Sequence, residues 1–402
     1  MLREERILAP VAKDSMYVMT PMEVVLGWVD GWVDPPRESP IDEPIPGPRA
    51  ALEREILAAL RRPPCGVSFS GGRDSSAILA VAVDLARREG LPAPIPITKV
   101  FPDAPETDES TWQELVIGHL GVEDWVRLTL HDELDLVGPL ATSLLVRYGA
   151  VWPPLLHSNM PMLEVVRGGS LLTGEGGDEV LGVDAHRIAP ITRMIRTPLA
   201  VRRRHVVPIA ESIAPARWRA RQQLNDPDAD QRWLRPPAVE VLRQIVLEEE
   251  RRKPLGFAAS VRSWRLERGV DLAEQNEQLL ASEYDVALIQ PLAGHPVIEA
   301  LARDGGRLGR GFRTTNLRRL VGDLLPDAVL TRTSKVDFDT TFMTHPTSEF
   351  AERWSGEGLD AELVDVELLR DIWRSDERPG LSDPLLQAAW LATEFPEPRT
   401  GH

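Results

Sequence analysis

Cysteine, positive charge and long apolar runs are what this sequence has little of. Cys65 is the one cysteine in 402 residues, which excludes an internal disulfide and any cysteine-built zinc or iron–sulfur centre. Lys and Arg number 46 against 62 Asp and Glu, a formal net charge of −16. That balance opposes the phosphate neutralisation on which non-specific nucleic-acid binding depends. The basic stretches 193–205 and 217–221 read as solvated helix faces. No apolar run reaches the roughly 20 residues of a membrane span. The first residues, MLREERILAP, carry charge where a secretory signal would be apolar, so a cytoplasmic protein is expected. The eight histidines show no metal-ligand spacing, no segment repeats, and nothing reads as the lysine-bearing phosphate loop GxxxxGKS or GxxxxGKT.

What is present is the composition of an ordinary globular chain, 43% hydrophobic and 27% charged, long enough for two or three domains. The segment 34–49, DPPRESPIDEPIPGPR, is too proline-rich for a helix or a central strand and reads as a linker. The thirty or so residues before it are too few to fold alone and suggest a cap or short hairpin. This divides the chain into 1–49 (cap and linker), 50–200 (core) and 201–402.

From residue 50 helical and strand patterns alternate: helices over 51–61, 76–88, 108–119 and 134–146, and strands over 66–69, 96–101, 125–130 and 170–173. Strands separated by helices of this length form a parallel sheet covered on both faces, a doubly wound α/β fold. Beyond about residue 193 the strand signal fades and helical spacing dominates.

Two glycine loops leave predicted strands. In "SFSGGRDSS" the glycines let the backbone approach an anion, the opening helix points its N–H groups and dipole at negative charge, and the serines add hydroxyl donors. Asp74 would repel a phosphate, so its presence implies a divalent metal between carboxylate and phosphate. The second loop, in "LLTGEGGDEVLG", brings Asp178 to the same end of the sheet, where Asp74 and Asp178 could share one Mg²⁺.

With "LPDAVLTRTSKVDF" downstream, these segments resemble the three signatures of the asparagine synthetase C-terminal domain, an ATP pyrophosphatase of the PP-loop (HUP-like) type, over roughly residues 50–342. The resemblance makes 50–200 the ATP-binding synthetase core and gives the helical 201–402 the rest of the substrate site. It implies an enzyme that adenylates a carboxylate with ATP and Mg²⁺, releases pyrophosphate and hands the acyl group to an amine. Carried over residue by residue, it places Ser70, Gly71, Gly72, Asp74, Ser75 and Ser76 on the pyrophosphate, and Asp74 and Asp178 on the metal. Thr173, Gly174 and Lys99 fall around ribose and adenine. Glu175 falls on the acid assisting amine attack, and Lys335 on the lysine facing the transferring phosphate.

Departures from the family pattern narrow the reading. Leu2 stands where the glutaminase nucleophile is a cysteine, so glutamine hydrolysis is not expected and ammonia, another amine or a partner protein's product is. The segment 285–294, DVALIQPLAG, replaces a pattern like GVEVRVPFLD, with Ala287, Ile289 and Gly294 in place of a glutamate, an arginine and an aspartate. Aspartate thereby becomes doubtful as acyl donor, leaving another small-molecule or peptide carboxylate. β-Lactam synthetases have tyrosine where this chain has Glu175. Lasso-peptide macrolactam cyclases are closer in their GEGGDE and R-x-x-K features but carry a glutaminase-like domain. The first expectation is a stand-alone amide synthetase of specialised metabolism, and the second a peptide cyclase. A reading of another class, a non-catalytic or nucleic-acid-modifying PP-loop protein, lacks both the paired cysteines of sulfur transfer and a basic surface.

Overall fold

Every strand of the central sheet runs the same way. The computed structural model describes residues 15–34, 46–196, 206–226, 231–334, 336, 338–375 and 379–396. Five strands, β1 (Cys65–Ser68), β2 (Ile95–Val100), β3 (Val126–Thr129), β4 (Ser170–Leu172) and β5 (Ala287–Ile289), lie in the order β3-β2-β1-β4-β5, all parallel. Gly66 of β1 pairs with Ile95 on one side and with Leu171 on the other, so β1 is central and helices cover both faces. This is the α/β architecture that the alternating pattern predicts.

The helix Arg73–Glu89 runs from the end of β1 through the middle of the core. Its sequence AILAVAVDLA is apolar on nearly every side, and residues from Ser75 to Ala86 are buried apart from Asp84. Gly90 closes it in the left-handed conformation. The helix Pro48–Leu60 packs beside it, and Ile78, Leu79 and Val67 share one core with Leu52, Ile56 and Leu60. A second core, in the helical region, gathers Trp233, Phe350, Trp354 and Trp373.

Two features differ from expectation. The segment 134–146 is not helical from its start: the helix is Pro139–Tyr148, because Pro139 sets its first turn and Gly138 is its N-cap. The region beyond 193 is not free of strand, since β5 pairs Leu288 with Leu171 and finishes the sheet. In the segment 305–311, Gly305 and Gly309 pack on Phe257.

Of the two forms expected before the linker, residues 15–34 take that of a cap and form no hairpin. They hold the short helix Pro21–Leu26, capped reciprocally by Thr20 and Glu23. Tyr17, Met19, Val25 and Leu26 belong to the second core. Fully buried Asn276 accepts from Tyr17 N at 2.7 Å and donates to Tyr17 O at 2.9 Å and to Trp152 O at 2.6 Å. Arg268 adds bonds to Glu23 and to the Tyr17 hydroxyl, each at 2.6 Å. The segment is therefore strapped onto the helical region, with Met16 reaching the core beneath the sheet. Most of the proline-rich stretch falls outside the described residues. Among the described residues, no helix is long and apolar enough to cross a membrane.

Candidate active site

The chain leaves the sheet toward opposite sides after β1 and after β4, and ligands of doubly wound folds settle at such a switch point, beyond the strands' carboxyl ends. Here the loop 69–72 leaves β1 and the loop 173–176 leaves β4, and together they border a cavity of about 350 Å³. Its walls include Ser70, Gly72, Ser75, Thr173, Gly174 and Glu175.

The first loop is a preformed cradle. Gly71 has φ +85°, open to glycine and strained for other residues. The Gly72 N–H donates to Ser70 Oγ at 3.2 Å, the Ser75 hydroxyl donates to Gly72 O at 3.2 Å, and the two serine oxygens lie 3.2 Å apart. Gln113 Nε2 donates to Ser70 O at 3.1 Å and fixes the loop from outside. The helix Arg73–Glu89 then starts at Gly72 without any side-chain cap. Its first-turn N–H groups thus await an anion.

Asp74 and Asp178 do converge, as the two loops suggest, and a residue the sequence reading did not single out joins them. Arg313, first in the helix Arg313–Val321, bonds Asp74 Oδ2 through Nη2 and Asp178 Oδ1 through Nη1. Burial raises the Asp74 pKa above the ordinary carboxylate range against the opposing pull of Arg313. Its second oxygen, Oδ1, is buried with no hydrogen-bond partner. A divalent cation fits that donor set: one orphaned carboxylate oxygen and a second, half-exposed carboxylate from the facing loop. Among the described residues, no group of three or more His, Cys, Asp or Glu could hold a metal by itself, so remaining ligands must come from water or substrate. Gly177 is what lets the loops meet, since a Cβ there would stand 2.3 Å from Asp74 Cγ.

Glu175 opens a second, acidic side of the cavity. Gln290, just past β5, donates through Nε2 to Glu175 Oε2 and, at 2.6 Å, to buried Glu277 Oε2. Desolvation raises the pKa of both carboxyls; Glu179 adds to this at Glu175, and repulsion from Glu175 adds to it at Glu277. Lys99, at the end of β2, is pushed down to about 8 by desolvation, with the Glu175 carboxylate partly offsetting this.

Arg332 closes the cavity's far wall. It donates to Gly71 O at 3.0 Å, to both Glu109 oxygens and, through Nε, to Ser334 Oγ at 2.9 Å, and it lies over the Trp112 ring at 5.0 Å. One buried guanidinium thus ties the glycine loop to the segment 333–338, whose Val336 and Phe338 also line the cavity.

Of the residues singled out in the sequence, Ser70, Gly72, Asp74, Ser75, Thr173, Gly174, Glu175 and Asp178 line the cavity, and Gly71 shapes its loop. Ser76 does not join them: it is fully buried and its Oγ has no hydrogen-bond partner. The helix begins three residues earlier than expected, which turns the fourth residue of its first turn to the core. Lys99 lies beside the cavity rather than on its wall. Lys335 falls outside the described residues. Arg313, Gln290, Glu277 and Glu109 carry no local signature; Arg332 does, standing three positions before Lys335 in TRTSK.

Residues 49–393 match the family described as Asparagine synthase. A search of curated proteins returns no match. The match spans most of the chain, which therefore belongs to the asparagine synthase family, ATP-dependent ligases that form amide bonds.

Proposed function

We propose that this family member is an AMP-forming carboxylate–amine ligase of specialised metabolism, acting in the cytoplasm on a carboxylate other than aspartate. The observation that carries the reading is the serine–glycine cradle on an uncapped helix terminus, with no phosphate-loop lysine, facing Asp74 and Asp178 across Gly177. A carboxylate oxygen of the donor attacks the α-phosphorus of ATP and the bond to pyrophosphate breaks. The amine nitrogen then attacks the acyl carbon, AMP leaves, and the amine's proton passes to a base.

Ser70, Gly72 and Ser75 supply donors for the departing pyrophosphate. Thr173 and Gly174 border the nucleoside, with Lys99 behind them. Asp74 and Asp178 hold Mg²⁺, which when bound would offset charge on the phosphates. Glu175 receives the amine's proton, its carboxyl being held at the cavity by Gln290. Lys335 is assigned by its place in TRTSKVDF to the charge that builds on the transferring phosphate.

A donor other than aspartate is supported by Ala287 and Ile289, which stand on β5 where the family pattern has charged residues. Ammonia or an organic amine, rather than glutamine, is the nitrogen source, because the only thiol in the sequence is buried in β1 and pushed up to about 11 by desolvation. The test is ATP–pyrophosphate exchange across pools of carboxylates, followed by chromatography of the nucleotide products. Exchange with AMP formation supports the reading, and ADP with inorganic phosphate overturns it.

A further inference from the structure

Arg313 lies where the proposed function puts a metal ion, and the inference drawn from this rests on that reading. Its guanidinium spreads one arm to each of two carboxylates from different loops. The Arg313 and Asp74 side chains are only 17% and 15% exposed, whereas Asp178 is 51% exposed. A cation that takes both carboxylates must displace this guanidinium from them.

The backbone behind the guanidinium is fixed. Arg313 N donates to Asp184 Oδ2 at 3.2 Å, and Asn316 of the same helix donates to Leu181 O at 2.6 Å. The side chain alone can therefore change partners. Its Nε is buried without a hydrogen-bond partner, so the present pairing leaves one donor unused. Arg73 stands close enough to repel it, and the two arginines border the same opening. Arg313 and Arg73 both act on this carboxylate cluster, so adding a divalent cation beside them would leave excess positive charge. A triphosphate supplies the missing negative charge, and its oxygens suit the planar fork of an arginine.

We propose that Arg313 is an internal counter-ion that makes metal capture conditional on nucleotide. Without ATP it neutralises Asp74 and Asp178, and a free divalent cation must displace it. When a triphosphate enters, the guanidinium transfers to phosphate oxygens and the two carboxylates are released to the metal. Arg313 thereby acts as a positioning residue, setting the order in which nucleotide and metal load.

Mn²⁺, whose free form is counted by electron paramagnetic resonance, tests this on the full chain. Without nucleotide, Arg313→Gln should bind Mn²⁺ at least about tenfold more tightly than the unaltered protein, because a competing bound state lowers apparent affinity by the fraction it occupies. Arg313→Lys, a single donor of shorter reach, should fall between, and it serves as the second variant if the first does not fold by circular dichroism. In EDTA, calorimetry with α,β-methylene-ATP should show about tenfold weaker nucleotide binding in the variants. Equal Mn²⁺ affinity in the unaltered protein and the variants overturns the counter-ion role, and equal metal-free nucleotide affinity overturns the transfer to phosphate. Adding Asp74→Asn to Arg313→Gln should abolish the tight Mn²⁺ binding; tight binding that persists shows instead that the metal assignment beneath the proposal has failed.

Discussion

Arg332 and Glu109 form an ion pair with side chains only 3% and 5% exposed, and the same guanidinium holds the carbonyl of Gly71. Removing one partner would strand the other's charge in the interior. Arg332→Ala should therefore destabilise the protein by about 3–5 kcal/mol, read as a lower urea midpoint. The double variant Arg332→Met/Glu109→Leu should regain most of that loss. A single variant within about 0.5 kcal/mol of the unaltered protein would show that the pair is solvated.

Gly177→Ala tests the contact between the two loops. Its methyl carbon would sit 2.3 Å from Asp74 Cγ, so the carboxylate must move by about an ångström. Turnover should fall by roughly 10²-fold, and the thermal midpoint should fall with it, because the displaced Asp74 is enclosed and paired with Arg313. Unchanged steady-state kinetics would count against Asp74 as a group that must be placed.

Lys335→Ala should lower turnover by roughly 10²–10³, the usual loss for a fixed donor facing developing charge. Nucleotide affinity should change little. Lys335→Arg should not restore the rate, because a planar fork is not an ammonium. Near-normal turnover in the alanine variant would leave phosphate charge to other groups.

Glu267 gives a dependence of stability on pH. Desolvation raises its pKa from 4.5 to about 7, with Lys253 opposing and Glu249 and Glu179 adding. The native state then holds a proton that the unfolded chain has released between about pH 4.5 and pH 7. Stability from this group is full below that window and is lost as pH rises through it. Glu267→Gln should flatten this falling limb in urea titrations at stepped pH, and an unaltered slope would exclude Glu267 as its source.

Cys65 should resist thiol reagents in the native protein and react once it is unfolded, since its thiol is buried and pushed up to about 11. Cys65→Ala should retain amine-dependent turnover, and glutamine should release no glutamate. Glutamate release that Cys65→Ala abolishes would contradict this.

Strands β1 to β4 were legible because each joins a short apolar run to a turn, and the glycine loops marked which strand ends matter. β5 was not legible, for ALI within a helical stretch has no period of its own and is a strand only through Leu171. The same limit hid much of the site. Asp74 and Glu175 sit in or directly after glycine loops whose composition betrays them, whereas Arg313 reaches Asp74, and Gln290 with Glu277 reaches Glu175, from elements distant in sequence. Nothing local separates Arg313 from Arg318 or Arg319, which pair with surface acids instead. Ser76, carried over from the family pattern, turns to the core because the helix starts three residues before the predicted position.

The pairing of β4 with β5 also bears on how the chain matures. Until residues 287–289 have left the ribosome, β4 presents a bare apolar edge, the kind of surface on which nascent chains aggregate. A fragment ending near residue 200 would keep both glycine loops and lack the strand that seals the sheet beneath them. The late-synthesised part of the polypeptide thus completes the sheet on which both glycine loops stand.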